Sequence, residues 1–89
     1  TIKADMLQVH VPPGSRLHGV TIRELRLPRN SVVSLIIRDS EPFAPGPDQI
    51  VRTGDDLLVV TNGKDRPTVE KRLRSIASGG RLARWQAGG

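Results

Sequence analysis

The residue types best suited to catalysis are two histidines and a pair of adjacent aspartates. Their spacing along the sequence does not place them beside the partner side chains that a catalytic site needs. Local spacing places no carboxylate or serine beside His10 or His18. We predict that His10 is a partly exposed strand residue and that His18 forms a loop hydrogen bond, since neither has further metal ligands at a suitable spacing. Asp55 and Asp56 could hold a cation, but an aspartate directly after a glycine typically accepts hydrogen bonds from backbone amides in a turn. No catalytic or metal-binding residue is predicted, and the chain is not expected to be an enzyme.

Arginines are the better candidates for binding. Four of them, Arg16, Arg23, Arg29 and Arg38, surround a predicted short helix and an apolar strand. Because a guanidinium pairs with phosphate and stacks on a base, they could form a cationic rim around an apolar floor, suited to an anionic ligand with flat bases. The alternative is that they only keep the surface soluble. The glycine spacing fits neither a dinucleotide-binding loop nor the phosphate loop of an NTPase.

The composition limits the class of protein. The 89 residues make one domain, and the net charge of +5 favours anionic partners such as nucleotides, nucleic acids or lipid head groups. Because there is no cysteine, disulfides and thiolate metal sites are excluded. Phe43 and Trp85 are the only aromatic residues, which argues against stacking on single-stranded nucleic acid. The chain begins at Thr1 without an initiator methionine and has no apolar run of ~20 residues, so we expect a soluble piece or processed product of a longer protein.

Three segments of the first half have clear patterns. Alternating apolar residues predict a half-buried strand at residues 5–11. Thr21 and Glu24 have the spacing of a capping box, which predicts a short helix at residues 22–25. Residues 31–38 are apolar on both faces, as in a central strand covered on two sides. A chain this small can cover one face with its own helices, so we expect a second copy to cover the other.

The second half predicts short strands followed by a helix. The strands are expected at residues 43–44, 49–51 and 56–61. Apolar residues at the spacing of one helix face predict an amphipathic helix from Asp65 or Arg66, with the apolar positions Val69, Leu73 and Ile76.

Together these elements predict an α/β (α+β) fold, a small, mainly antiparallel sheet with two helices, in a dimer. We expect a linker at residues 1–4, the domain at residues 5–78 and a basic tail at residues 79–89.

Taken in order, these motifs resemble the TrkA-C domain family, also called RCK-C. The first half of the resemblance consists of Val11-Pro12-Pro13-Gly14-Ser15, Leu17, Gly19, Thr21-Ile22, Glu24-Leu25 and Leu27-Pro28. The second half consists of residues 33–38, Pro45, Pro47-Asp48, Gly54-Asp55 and residues 57–60. The resemblance covers residues 5–77. With its basic tail, the layout is most similar to the cytosolic C-terminal domain of a CvrA-type (cell volume regulation) potassium/proton antiporter.

The resemblance implies a cytosolic regulatory domain of a potassium transport system at the inner or plasma membrane, with the transmembrane antiporter portion of the same parent chain as a partner. It also implies a homodimer that binds a small nucleotide such as cyclic di-AMP at its interface, with no required cofactor and no nucleic acid. The implied cleft lies where the first helix ends and the next strand starts, and the residues there are Arg23, Leu25, Leu27, Arg29, Asn30, Ser31, Val32 and Val33. Two rival interpretations are a nucleic-acid-binding module, suggested by charge alone, and a purely structural dimerisation domain without a ligand.

Overall fold

An antiparallel sheet of four strands and one α-helix form the fold of residues 4–78, the part of the chain that the computed structural model describes. The elements are β1 (Ala4–His10), a 3-10 turn (Arg23–Leu25), β2 (Val32–Arg38), β3 (Glu41–Phe43), β4 (Asp56–Asn62) and α1 (Arg66–Ala77). The strand order is β1-β4-β2-β3, and each neighbouring pair is antiparallel. The predicted fold class is therefore confirmed.

The core lies between one face of the sheet and α1. In β4 the buried residues alternate, as a strand with one covered face requires, and they are Leu57, Val59 and Thr61. Val69 and Leu73 of α1 are buried against this face, with Ile76 partly buried, so the predicted apolar stripe of the helix is confirmed. Loop residues close the rest of the core, namely Val11, Leu17, Leu25 and Val51.

Strand β2 does not follow simple alternation. Val33 and Ile36 are both buried although they are three residues apart, because the pairing with β4 slips between Val33 and Leu35. Ser34 is the additional residue at this bulge, and its hydroxyl donates to the carbonyl of Leu58 at 3.1 Å. A single chain thus covers one face of the strand, and the opposite face stays partly open to solvent.

The first predicted helix, at residues 22–25, is not a full helix in the structure. It is a single 3-10 turn, Arg23–Leu25, which ends where Arg26 adopts a left-handed conformation with φ 48°. The capping box is present, but the chain leaves helical geometry before Pro28 and cannot complete a second turn.

The ends of other elements also differ from the predictions. The edge strand expected at residues 49–51 is reduced to an isolated bridge between Thr21 and Ile50. Strand β1 runs from Ala4 to His10, so Ala4, expected in the linker, belongs to the sheet. The rest of the predicted linker and the predicted basic tail lie outside the described residues. No helix within residues 4–78 is long and apolar enough to cross a membrane.

Candidate ligand-binding cleft

A shallow depression of about 240 Å³ lies between the 3-10 turn and the start of β2. We call it the cleft, and its lining residues are Ile22, Arg23, Arg26, Leu27, Ser31, Val32 and Val33. Its lining combines apolar residues, two arginines and one serine. This combination of groups suits a ligand that is apolar on its flat faces and anionic elsewhere.

A reciprocal set of hydrogen bonds holds the 3-10 turn in place. The Glu24 carboxylate accepts from the backbone amide of Thr21 at 2.8 Å and from its hydroxyl at 2.9 Å. In return, the Thr21 hydroxyl oxygen accepts from the amide of Glu24 at 3.3 Å. These hydrogen bonds from Thr21 lower the pKa of Glu24. The predicted capping box therefore exists, and it positions Arg23 at the border of the cleft.

The two arginines of the cleft are both open to an anion. Nη2 of Arg23 lies 3.2 Å from Oδ1 of Asp48, but the two side chains are 66% and 83% exposed, so solvent weakens this pair. Arg26 is exposed at the C-terminal end of the turn, and its left-handed backbone carries a steric cost that glycine would not have. Strain of this kind is frequent at ligand sites.

Several predicted cleft residues do not line it. Leu25 is fully buried in the core, and Arg29 and Asn30 lie in the exposed turn before β2. Conversely, the sequence analysis missed Ile22 and Arg26. The spacing offered a signal for Arg26, since it follows Arg23 by three residues and precedes the apolar strand.

The predicted cationic rim is wrong for Arg38. Its Nε and Nη2 donate to the two carboxylate oxygens of Asp55, each at 2.8 Å, and Nη2 also donates to the Ile50 carbonyl at 3.0 Å. The guanidinium carbon lies 5.2 Å from the centre of the Phe43 ring. Arg16 also lies away from the cleft, because its backbone amide donates to the Ala77 carbonyl at the end of α1. Of the four predicted rim residues, Arg23 lines the cleft.

The histidines behave largely as predicted. Nδ1 of His18 accepts from the amide of Thr53 at 3.0 Å, which confirms a loop hydrogen bond. His10 is an exposed residue of β1, and its Nδ1 lies 2.9 Å from the carboxylate of Asp56 on β4, a neighbour that local spacing could not reveal. Within residues 4–78, histidine, aspartate and glutamate side chains form no group of three that could hold a metal ion.

An exposed apolar row crosses the open face of the sheet beside the cleft. Val60 is paired with Met6 on one side and with Val32 on the other. Met6 is 58% exposed and Val32 is 56% exposed, and Val32 also lines the cleft. We call these three residues the apolar row. A molecule seated on the row would also touch the border of the cleft.

Comparisons with known proteins agree with this architecture. The TrkA-C domain family profile matches residues 6–74. A Trk system potassium uptake protein TrkA homolog from Archaeoglobus fulgidus is 33% identical over 63 residues, which are 71% of this chain and 14% of that protein. A Trk system potassium uptake protein TrkA from Mycobacterium tuberculosis is 30% identical over 60 residues, 67% of this chain and 27% of that protein. The chain thus spans a minor part of these relatives.

Solved structures share the fold at low identity. An RCK domain with cda superposes with a TM-score of 0.61 at 19% identity, covering 76% of this chain and 96% of that one. The GsuK channel bound to NAD superposes with a TM-score of 0.66, also at 19% identity, covering 81% of this chain and 14% of the channel chain.

Proposed function

Because this chain belongs to the TrkA-C domain family, we propose that it is the ligand-sensing regulatory domain of a potassium (cation)/proton antiporter or of another potassium transport system. We propose further that it binds a nucleotide such as cyclic di-AMP between two copies. TrkA-C is a family of regulatory domains in potassium transport, not a catalytic family. On this proposal the domain works on the cytosolic side of the membrane, beside the transmembrane part of its parent protein.

The chemistry of the cleft supports a nucleotide. Arg23 and Arg26 can each form charge-assisted hydrogen bonds with phosphate oxygens, and Leu27 and Val32 offer apolar surface to a base. The Ser31 hydroxyl already shares a hydrogen bond of 2.7 Å with the Thr61 hydroxyl, so it has limited freedom to adjust to a ligand. Two of the structural relatives carry ligands, cda in one and NAD in the other, which is consistent with a nucleotide here.

The size of the cleft carries the proposal of a site shared by two copies. At about 240 Å³ it is smaller than the ~300–1,000 Å³ of most ligand pockets, which is consistent with our proposal that one chain supplies half of a site. Two clefts related by a two-fold axis would double the volume and present the same groups twice, which suits a ligand made of two equal nucleotides. The apolar row next to the cleft is the surface on which the second copy would sit.

Regulation would follow from the shared site. A ligand shifts a transporter between two states only if it binds one of them more tightly. When two copies each supply half of the contacts, any rotation of one copy against the other changes those contacts. The ligand would therefore favour the arrangement in which both halves meet.

Calorimetric titration of the 89-residue chain with cyclic di-AMP tests the proposal. We expect saturable heat with one ligand per two chains, and we expect Arg26→Gln to weaken binding by at least tenfold, since charged hydrogen bonds contribute about 1.5–3 kcal/mol. Arg29→Gln is the matched control, because Arg29 carries the same charge nearby but does not line the cleft. Equal losses in both variants, or no heat at near-millimolar ligand, would refute the assignment to the cleft. Parallel titrations with NAD and ATP show which nucleotide is preferred.

A further inference from the structure

The outward side of α1 carries more positive than negative charge. The helix has four basic residues and one acidic residue, Glu70. Glu70 lies 3.7 Å from Arg66, and Arg66 also approaches Asp5 at 3.8 Å, so these charges form their own group. The remaining cations are exposed and form no salt bridge within the described part of the chain; we call them the basic face, and they are Lys71, Arg72 and Arg74.

Packing determines which way the basic face points. Val69 and Leu73 are buried against the sheet, so the residues on the far side of the helix must face solvent. Lys71 and Arg74 are three positions apart and therefore lie on one side of the helix, whereas Arg72 lies about 100° around the helix from Lys71, away from Arg74.

Helix stability accounts for Arg74, because a cation in the last turn interacts favourably with the C-terminal end of the helix dipole. It does not account for Lys71 and Arg72, which precede that turn. Like charges on neighbouring helix positions destabilise a helix slightly, and a soluble surface usually mixes both signs. Along its outward side the helix also offers small polar residues, Thr68 and Ser75, and no large apolar side chain. Apolar surface lies beside the basic face, in a groove of about 480 Å³ between α1 and β1 that Arg74 borders, and not on the outward side itself. An extended layer of negative charge needs no apolar anchor.

We propose that the basic face of α1 rests on the anionic head groups of a membrane. This proposal depends on the proposed function, which places the domain beside a membrane-embedded partner. Each basic residue near an anionic bilayer strengthens binding by about fivefold, so the three residues of the basic face give weak attachment of a free domain. For a domain already tethered to a transporter, weak attachment is enough to orient it, because the tether supplies a high local concentration.

Co-sedimentation of the 89-residue chain with vesicles tests this proposal without any nucleotide. We expect binding to vesicles that contain 30% phosphatidylserine, loss of binding at high salt, and no binding to pure phosphatidylcholine. Lys71→Gln with Arg74→Gln should lower the partition coefficient by about 25-fold, at fivefold per residue. The matched control, Arg29→Gln with Arg52→Gln, removes the same charge from exposed positions on other parts of the surface and should lower it by less than about threefold.

Three results would overturn the proposal. One is no binding to the anionic vesicles, and another is an equal loss in the two double variants, which would mean that net charge alone is responsible. The third is tighter binding to a duplex DNA at equal phosphate concentration, which would assign the basic face to nucleic acid. The vesicle experiment contains no nucleotide and is therefore independent of the calorimetric titration. Vesicle binding without heat in the nucleotide titration would support this inference and reject the nucleotide ligand. Heat in the titration without vesicle binding would reject this inference and support the ligand.

Discussion

Asp55 joins the end of β2 to the turn before β4 through one buried carboxylate. It is fully buried, and it accepts hydrogen bonds from Arg38 at the end of β2 and from the amide of Arg52 at 2.9 Å. Gly54, with φ +92°, provides the turn that brings Asp55 to this position. Burial raises the pKa of Asp55, but the hydrogen bonds from Arg38 and Arg52 and the attraction of their charges outweigh it and leave the pKa below its ordinary value. The residue that the sequence analysis considered for cation binding is thus a structural anchor.

Replacement of this carboxylate should be among the most damaging single changes. We expect Asp55→Ala to lower the free energy of unfolding by about 3 kcal/mol or more, because it leaves the partly buried Arg38 without its partner. Asp48→Ala removes an aspartate from the exposed pair with Arg23 and should cost less than about 1 kcal/mol. Urea unfolding of the two variants measures both values, and similar losses in both would contradict this view of Asp55.

The same pair gives the stability a defined dependence on pH. Folding lowers the pKa of Asp55. Its contribution to the free energy of unfolding is therefore complete above the ordinary pKa of 3.8 and disappears as the pH falls through the lower pKa of the folded state. The native chain should therefore lose stability below about pH 4, and Asp55→Ala should lose less over the same interval. Unfolding curves at pH 3 and pH 7 make the comparison.

At the scale of elements, sequence patterns predicted regular elements well and irregular ones poorly. The strands β1 and β4 and the helix α1 follow from strict apolar periodicity, and tertiary packing reinforces that pattern. The 3-10 turn does not follow from such a periodic pattern, because a capping box marks where a helix starts and gives little information about its length. The bulge of β2 is equally hidden, since its apolar run gives no indication of where the pairing slips.

The cleft shows the same division. Its position between the turn and β2 came from the family resemblance, and two of the residues named from that resemblance, Val32 and Val33, line the depression on β2. Leu25 lies in the core and not in the lining of the depression, because the direction of a side chain in a 3-10 turn depends on the exact geometry of the turn. The pairing of Arg38 with Asp55 joins residues 17 positions apart, and local spacing carries no information about such a contact.

The bulge of β2 leads to a prediction about deletions. Val33 pairs with Val59 and Leu35 with Leu58, so removal of Ser34 should restore regular pairing and keep every neighbour on its present face. We expect the deletion to fold, at a cost near the ~1 kcal/mol of the lost hydrogen bond to Leu58. Deletion of Leu58 from the regular strand β4 would move Val59 and Thr61 to the opposite face and should prevent folding. Thermal unfolding followed by circular dichroism separates the two cases, and an unfolded Ser34 deletion would show that the bulge itself is required.

At the scale of the whole molecule, the main feature is one face of the sheet that residues 4–78 leave partly exposed. The most exposed large apolar residues of the described chain are Met6, Val32 and Ile50, and two of these belong to the apolar row. The basic face is carried by α1, which packs on the opposite side of the sheet. One face of the molecule could therefore bind a second copy while the other rests on a charged surface, so the two proposed contacts do not compete.

The apolar row provides the test of the dimer. We expect the chain to associate as its concentration rises in sedimentation velocity, and Val32→Glu to weaken association by at least tenfold, because two copies would bring like charges together in an apolar contact. Val32 is 56% exposed in the single chain, so the variant should still fold. Ile50→Glu is the matched control, since Ile50 is 44% exposed and lies outside both the row and the cleft. If the native chain stays monomeric at several hundred micromolar with and without cyclic di-AMP, or if Ile50→Glu dissociates it equally, the row is not the interface and the half-site model of the cleft fails with it.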